Sequence, residues 1–170
     1  MTLRPATTAD LPALSRLATA AFIAKFGELY SAADLATFLA ESLSEAAFAQ
    51  DLANPLRPIQ LAERDGALVA FAKLGLTCGF PAHARGTNAM ELKQLYAAPD
   101  VTGGGIGSAL MDWAMAELTA RGTDEVQLSV YAHNPGAHRF YERYGFSKVA
   151  DITFKVGEQL DPEFLFAKLL

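Results

Sequence analysis

Apolar residues recur along this chain at two spacings, one typical of helices and one typical of strands, and this alternation predicts the secondary structure. From residue 11, leucine and alanine recur every three or four positions, whereas from residue 126 apolar and polar residues alternate. Asp65-Gly66 predicts a hairpin, and Asp10, Ser31 and Ser44 are each predicted to cap the helix that follows. The predicted strands cover 2–4, 59–64, 67–76, 90–97, 126–131, 147–156 and 163–170. The predicted helices cover 11–24, a segment opened by Ser31, 45–53, 105–121 and 136–144.

The order of these elements indicates the fold class. The first strand is followed by helices, a two-stranded hairpin, another strand, a helix, a strand, a short helix and two final strands. A mixed α/β sheet with helices on both faces satisfies that order most simply. The sequence contains no repeat, low-complexity tract or linker, so residues 1–170 are predicted to form a single domain. A binding site is expected where the strands 90–97 and 126–131 diverge.

The connection between strand 90–97 and the next helix is unusually rich in glycine. Gly103, Gly104 and Gly105 are consecutive, and Gly107 follows at the start of the predicted helix. Backbone N–H groups at a helix start, free of nearby Cβ atoms, favour a phosphate or pyrophosphate. Neither a P-loop nor a dinucleotide fingerprint fits, because no lysine follows Gly107 and Ser108 replaces the last fingerprint glycine.

Composition and charge narrow the classes of partner. The formal net charge is −5, which argues against nucleic acid as a partner and suits a cationic substrate. No stretch is apolar enough to span a membrane, and the N-terminal residues lack the apolar region of a signal peptide, so we expect a cytoplasmic protein. Cys78 is the only cysteine, and His83, His133 and His138 have no ligand spacing, so no metal site is expected.

Two motifs make the chain resemble the GNAT superfamily of N-acetyltransferases. The first is the run Thr102-Gly103-Gly104-Gly105-Ile106-Gly107, and the second is Asn134 followed seven residues later by Tyr141. The resemblance implies a twisted, mostly antiparallel sheet of about seven strands with a V-shaped splay, and acetyl-CoA as cosubstrate. The chain departs from the family pattern at Thr102, where most members carry Gln or Arg. That departure bears on the affinity for CoA and not on the fold.

The resemblance also implies which residues hold acetyl-CoA. The pantetheine arm would pair with the strand backbone at Leu95, Tyr96 and Ala97. Asn134 would hydrogen-bond the pantetheine amides, although an asparagine before Pro135 also suits a helix cap. The pyrophosphate would lie on the backbone amides of Gly103, Gly104, Gly105, Ile106, Gly107 and Ser108.

Catalytic roles follow from the same resemblance. Tyr141 occupies the position of the tyrosine that protonates the departing thiolate, and a packed aromatic side chain is the structural alternative. The backbone N–H of Ala97 or Tyr96 would stabilise the thioester oxygen. Some members carry a glutamate base where this chain has Ser129, and others carry it where this chain has Glu91. Glu91 is therefore the predicted base or water-positioning residue, and a salt bridge to Lys93 is its structural alternative.

The acceptor is expected to be a small primary amine. Aromatic residues and an acid between positions 21 and 30 resemble the bacterial polyamine acetyltransferase branch. Glu28, Asp34, Glu41 and Glu91 are expected to form an acidic cleft that attracts a polycation. Two alternatives stay open, namely acetylation of a protein or peptide amine and a non-catalytic acyl-CoA-binding regulatory module. A homodimer is also left open.

Overall fold

The computed structural model describes residues 1–101 and 103–170, which form one seven-stranded sheet flanked by helices. The strands lie in the order β1-β2-β3-β4-β5-β7-β6, and every neighbouring pair is antiparallel except β4–β5. The predicted mixed, mostly antiparallel sheet is therefore confirmed. The strands are β1 (Thr2–Pro5), β2 (Ile59–Arg64), β3 (Ala67–Gly75), β4 (Ala89–Ala97), β5 (Glu125–Tyr131), β6 (Ser147–Val156) and β7 (Gln159–Leu169). The α-helices are α1 (Leu11–Phe26), α2 (Ala32–Phe38), α3 (Glu45–Ala53), α4 (Ile106–Ala120) and α5 (Pro135–Arg143).

Helix starts follow the sequence signals at two of the three predicted caps. Ser31 and Ser44 each accept a hydrogen bond from the backbone N–H three residues on, at 3.1 Å. The prediction for Asp10 is wrong. Its carboxylate binds the guanidinium of Arg4 at 2.7 Å and the N–H of Thr7 at 2.8 Å. The hydrogen bond to Arg4 holds the pKa of Asp10 well below its usual range.

Each face of the sheet buries its own apolar core. Helices α4 and α5 cover one face, and α1, α2 and α3 cover the other. The α4 side contains Leu74, Leu92, Ile106, Leu110, Met111, Leu118, Val126 and Leu128. The α1 side contains Leu14, Leu17, Phe22, Phe38, Leu43, Phe48, Leu61 and Phe71. Helices on both faces were predicted, and the structure confirms them. None of the described helices is long and apolar enough to cross a membrane.

The sheet opens between β4 and β5. These two strands pair at only three positions, from Ala89↔Glu125 to Glu91↔Gln127, and separate beyond them. The pairing of β4 with β3 shifts just past this point, where Lys93 becomes an extra residue with no partner on β3. Such a bulge bends a strand and increases its twist. The predicted V-shaped splay is thus present, and Glu91 stands where it begins.

The segment between β3 and β4 is anchored across the closed end of the gap. Gln127 accepts a hydrogen bond from the N–H of Phe80 and donates one to its carbonyl, both at 3.2 Å. Glu125, which is fully buried, accepts from the N–H groups of Arg85 and Gly86 at 2.6 and 2.8 Å. Buried polar side chains of β5 therefore anchor this segment, for which the sequence predicts neither a helix nor a strand.

Candidate functional site

A cleft of about 870 Å³ occupies the gap between β4 and β5 and continues beneath α1. Its walls come from parts of the chain far apart in sequence, including α1, β4, β5, α5 and β7. One half is lined by Val101, just before the glycine turn, and by Asn134, Ala137 and Tyr141 at α5, and we call it the glycine half. Residues 103–108 lie next to this half and are not part of its walls. The other half lies beside α1 and β7, where Tyr30, Asp161 and Glu163 line it, and we call it the acidic half.

Strand β4 presents unpaired backbone groups to the cleft. The N–H of Ala98 bonds to the carbonyl of Val69 on β3, and Tyr96 is paired with Phe71 two positions earlier. Hydrogen-bonded pairs alternate along an antiparallel ladder, so Tyr96 bonds to β3 while Leu95 and Ala97 direct their N–H groups to the opposite side. Of the two expected oxyanion donors, Ala97 is therefore the one whose N–H faces the gap.

The glycine turn has room for a ligand and carries positive charge. Gly103, Gly104 and Gly105 have φ angles of 77°, 67° and 73°, a left-handed conformation that residues with a Cβ rarely adopt. A Cβ at Gly103 or Gly105 would meet no atom within 4 Å, so space is open there. A Cβ at Gly104 would lie 2.5 Å from Nη2 of Arg64, so this guanidinium lies against the turn. Thr102 lies outside the described residues.

The first turn of α4 is held in place by α5. Ile106 is buried in the core, and Gly107 faces the ring of Phe140, which a Cβ would meet at an ordinary 3.7 Å. The carbonyl of Ser108 accepts a hydrogen bond from the hydroxyl of Tyr144 at 3.2 Å. The helix start is therefore fixed before any anion binds at its N–H groups, as an anion site requires.

Asn134 and Tyr141 both line the cleft from α5. Asn134 is the cap of that helix, because its side-chain oxygen accepts from the N–H of Ala137 at 3.3 Å. Asn134 therefore caps α5, which is the structural alternative that the sequence offered, and its side-chain NH₂ group can still donate a hydrogen bond to a ligand. The ring of Tyr141 packs edge-on against Phe140 and Phe146, and burial raises the pKa of its phenol to about 12. A phenol with that pKa stays protonated at neutral pH and can donate its proton.

Glu91 also lines the cleft, but its carboxylate is engaged. Lys93 donates to Oε2 of Glu91 at 3.0 Å, which is the salt bridge that the sequence left open as an alternative. The backbone of Gly79 packs directly on the same carboxylate, so that a Cβ at Gly79 would clash with it. Only 7% of Glu91 is exposed. A ligand would have to displace Lys93 or approach through water to reach this group.

Two acids in the cleft had no sequence signal. On β7, Asp161 accepts a hydrogen bond from the hydroxyl of Tyr30, and Glu163 accepts one from the hydroxyl of Ser129. Gln159 also donates to Asp161 at 2.9 Å. Among the described residues, no lysine or arginine forms an ion pair with either carboxylate. Only the pairing of β5 with β7, which brings Ser129 near Glu163, could have revealed them.

The expected acidic cleft is present, but only some of the predicted acids line it. Glu41 and Glu91 line it as predicted, whereas Glu28 is absent from its walls. Asp34 instead accepts a hydrogen bond from the N–H of Glu158 at 2.8 Å, which fastens the start of α2 to the β6–β7 turn.

Within the described part of the chain, no group of three or more His, Cys, Asp or Glu side chains could hold a metal ion. A ring nitrogen of His138 lies 2.9 Å from the carbonyl of Tyr131, and the ring packs on Phe164 and Phe166. His138 therefore has a packing role.

The arrangement suits two ligands that meet in the cleft. The glycine half offers backbone N–H groups, an open helix start and a guanidinium, which fit an extended ligand that carries phosphates. The acidic half offers carboxylates and aromatic rings, which fit a cation with apolar methylenes. A protonated phenol from α5 lies in the same cleft, so proton transfer between the two ligands is chemically available.

Comparison with known proteins points to one family. The sequence model of the acetyltransferase (GNAT) family matches residues 20–146. An uncharacterized N-acetyltransferase of Mycobacterium tuberculosis is 33% identical over 137 residues, which are 80% of this chain and 82% of that protein. The fold is similar to the PaiA N-acetyltransferase of Thermoplasma acidophilum, solved in complex with coenzyme A, with a TM-score of 0.79, 22% identity and full coverage of both chains. It is also similar to the ribosomal-protein-alanine N-acetyltransferase of Brucella melitensis, with a TM-score of 0.74, 25% identity and full coverage of both chains.

Proposed function

Because the chain belongs to the GNAT family and is an acetyl-CoA-dependent N-acetyltransferase, we propose that its acceptor is a small primary amine of the polyamine type. The observation that carries this proposal is the acidic half of the cleft, where Asp161 and Glu163 have no cationic partner among the described residues. The non-catalytic acyl-CoA-binding alternative is set aside, because the family model and the relatives are acetyltransferases.

The proposal assigns the glycine half to acetyl-CoA. The pyrophosphate rests on the amides from Gly103 to Ser108, where Arg64, which lies against Gly104, adds positive charge. The pantetheine arm pairs with the free backbone groups of Leu95 and Ala97, as an added strand would. Asn134 donates from its side-chain nitrogen, since its oxygen caps α5. This placement brings the thioester beside Tyr141.

Three groups act on the reactants in this proposal, two on the thioester and one on the amine. The N–H of Ala97 stabilises the charge that develops on the carbonyl oxygen, because it faces the gap and has no partner on β3. Tyr141 donates its proton to the departing thiolate. A carboxylate takes a proton from the amine, and Glu91 is the residue in the position that the family resemblance selects.

Charge and shape in the acidic half support a polyamine-type acceptor. The buried Lys73 is paired with Asp51 at 2.6 Å and Lys93 with Glu91 at 3.0 Å, so these lysines offset existing carboxylates. Asp161 then adds negative charge to a wall that also contains Phe154. Carboxylates attract the ammonium groups of such an amine, and aromatic faces pack against its methylenes.

A peptide or protein amine is the second candidate acceptor. The cleft is open to solvent at one side, and the Brucella relative acts on an alanine of a ribosomal protein. An N-terminal ammonium would use the same carboxylates. The flanking peptide, however, would require further hydrogen-bonding groups along the cleft rim.

Thiol release from acetyl-CoA tests the proposal directly. We expect spermidine and 1,3-diaminopropane to release thiol at least tenfold faster than an alanine-starting hexapeptide at equal concentration and neutral pH. N-acetylated product should be seen by mass spectrometry with the polyamines. Faster turnover of the peptide would favour the second candidate, and no turnover with any amine would overturn the proposal.

A further inference from the structure

We propose that Glu163, rather than Glu91, is the carboxylate that receives the proton from the acceptor amine. This inference rests on the proposed function, since it concerns the same cleft and the same reaction. It adds a residue on β7 for which neither the sequence motifs nor the family resemblance provides a role.

The register of the sheet places Glu163 on the cleft side of β7. Glu163 is paired with Tyr131 of β5, and residues directly opposite each other in a ladder share a face. Tyr131 lines the cleft, and so does Ser129, two residues earlier on the same face. The hydroxyl of Ser129 donates to Glu163. The chain thus lacks a glutamate at position 129 but brings the carboxylate of a neighbouring strand to that place.

Glu163 is available to a ligand in a way that Glu91 is not. Its hydrogen-bond partner is a neutral hydroxyl, whereas Glu91 binds the ammonium of Lys93 and is covered by the backbone of Gly79. A carboxylate neutralised by a lysine has less attraction for a second ammonium and a weaker tendency to take its proton. Among the described residues, no lysine or arginine pairs with Glu163, so its carboxylate is available to the acceptor.

The surroundings of Glu163 suit a proton acceptor. Burial raises its pKa, the hydrogen bond from Ser129 lowers it, and the charge of Asp161 on the same strand raises it again. Across the cleft, the phenols of Tyr96 on β4 and Tyr30 after α1 lie near enough for the charge of Glu163 to raise their pKa values. The facing residues on β5 and β6 are Tyr131 and Ile152. Lys25 of α1 also lines the cleft.

Tyr96 lies near this carboxylate and near Tyr141. All three residues line the same cleft, and the pKa of the Tyr96 phenol is raised by burial first, and then by the charge of Glu163 and by Tyr141. An amine held by Glu163 can then approach the thioester carbonyl from the acidic half.

The proton and bond balance follows from this geometry. The ammonium gives one proton to the carboxylate of Glu163, and the freed electron pair of nitrogen attacks the thioester carbon. A C–N bond forms and the C–S bond breaks, with the electron pair of that bond leaving on sulfur. Tyr141 protonates the thiolate, nitrogen loses its second proton to water, and the phenol is reprotonated from water. Glu163 then releases its proton to solvent and is again a carboxylate. The net reaction converts an alkylammonium and acetyl-CoA into an amide, CoA thiol and one released proton.

The test compares Glu163→Gln with two other carboxylate-to-amide changes. The substrate is spermidine, and Glu158→Gln is the matched control, because that side chain is exposed in the turn of the same β6–β7 hairpin. Glu163→Gln should lower kcat/KM by about 10²- to 10³-fold near pH 7, the range for loss of a general base. The deficit relative to wild type should shrink at least tenfold at about pH 9.5, where more of the amine is already neutral.

Two further variants separate a catalytic role from a structural one. The factor by which Glu91→Gln lowers kcat/KM should stay the same across the pH range. Its deficit relative to wild type should therefore not shrink at alkaline pH, and we call such shrinkage alkaline recovery. Ser129→Ala removes a hydrogen bond that favours the ionised carboxylate, so it should raise the pKa of Glu163 and move the acid limb of the kcat/KM profile to higher pH. Thermal melting checks that each variant is folded.

Each outcome either supports or overturns the role proposed for Glu163. Alkaline recovery in Glu163→Gln together with a shifted acid limb in Ser129→Ala supports the proposal. Alkaline recovery in Glu91→Gln but not in Glu163→Gln overturns it and leaves the proposed function intact. A wild-type protein that acetylates no amine overturns the proposed function, and the inference fails with it.

Discussion

The two halves of the cleft are built from different parts of the polypeptide. The glycine half uses mainly backbone atoms from one continuous stretch, β4 through the first turn of α4. The acidic half uses side chains from α1, the segment around Tyr30, β5 and the β6–β7 hairpin. A ligand common to a family can be held by backbone geometry that one short motif encodes. An acceptor that differs among family members is recognised by side chains, which can change without altering the fold.

This difference predicts that substitutions in each half affect one ligand. The glycine half should govern affinity for CoA and leave acceptor preference unchanged. The acidic half should govern the acceptor and its proton.

The largest effect is expected from Gly105→Glu. It places a carboxylate in open space beside the proposed pyrophosphate position, so CoA affinity measured by calorimetry should fall at least 100-fold. Gly105→Ala is the matched control, because it introduces the same left-handed strain, about 1–2 kcal/mol, without the charge. If both variants bind CoA as the wild type does, the phosphates lie elsewhere.

Tyr141→Phe tests the chemical step where the halves meet. We expect kcat to fall by roughly 10- to 1,000-fold, the range for loss of one general acid, with CoA affinity changed by less than threefold. The remaining ring keeps its contacts with Phe140 and Phe146, so melting temperature should stay close to that of wild type. Undiminished turnover with spermidine would show that water protonates the thiolate.

A smaller effect is expected from Arg64→Gln. The guanidinium lies against Gly104, so its loss should weaken CoA binding by about tenfold, and raising the salt concentration should narrow the gap to wild type. Arg121→Gln is the control, since Arg121 pairs with Glu117 on the exposed side of α4. Equal CoA affinity in both variants would show that the turn binds phosphate through its backbone alone.

The fold and the glycine half were readable from sequence because their signals are local. Hydrophobic spacing located the strands and α-helices to within a few residues, and glycines fixed where α4 begins. The Asp10 cap failed because Arg4, a strand residue brought close by the fold, binds the carboxylate more strongly than a helix N–H would. The fold also brings together Lys73 and Asp51, which are 22 positions apart, and no local pattern in the sequence indicated their ion pair.

The acidic half was hidden because its contacts join distant residues. Tyr30 and Asp161 are 131 positions apart, and Ser129 and Glu163 are 34 apart. Each pair depends on how β7 lies beside β5 and near the segment that follows α1, which the order of elements does not determine. The sequence predicted an acid for the base and placed it at Glu91, in the strand that the motif identifies. The ion pair with Lys93, which the sequence left open as an alternative, is formed in the folded chain.

The separation of the two halves is tested most directly by one pair of measurements on the double variant Asp161→Asn/Glu163→Gln. We predict that its CoA affinity, measured by calorimetry, stays within twofold of wild type, because no cofactor contact is removed. Its KM for spermidine should rise more than tenfold, because both carboxylates of the acidic half have lost their charge. A weakened CoA affinity with an unchanged KM would contradict the account.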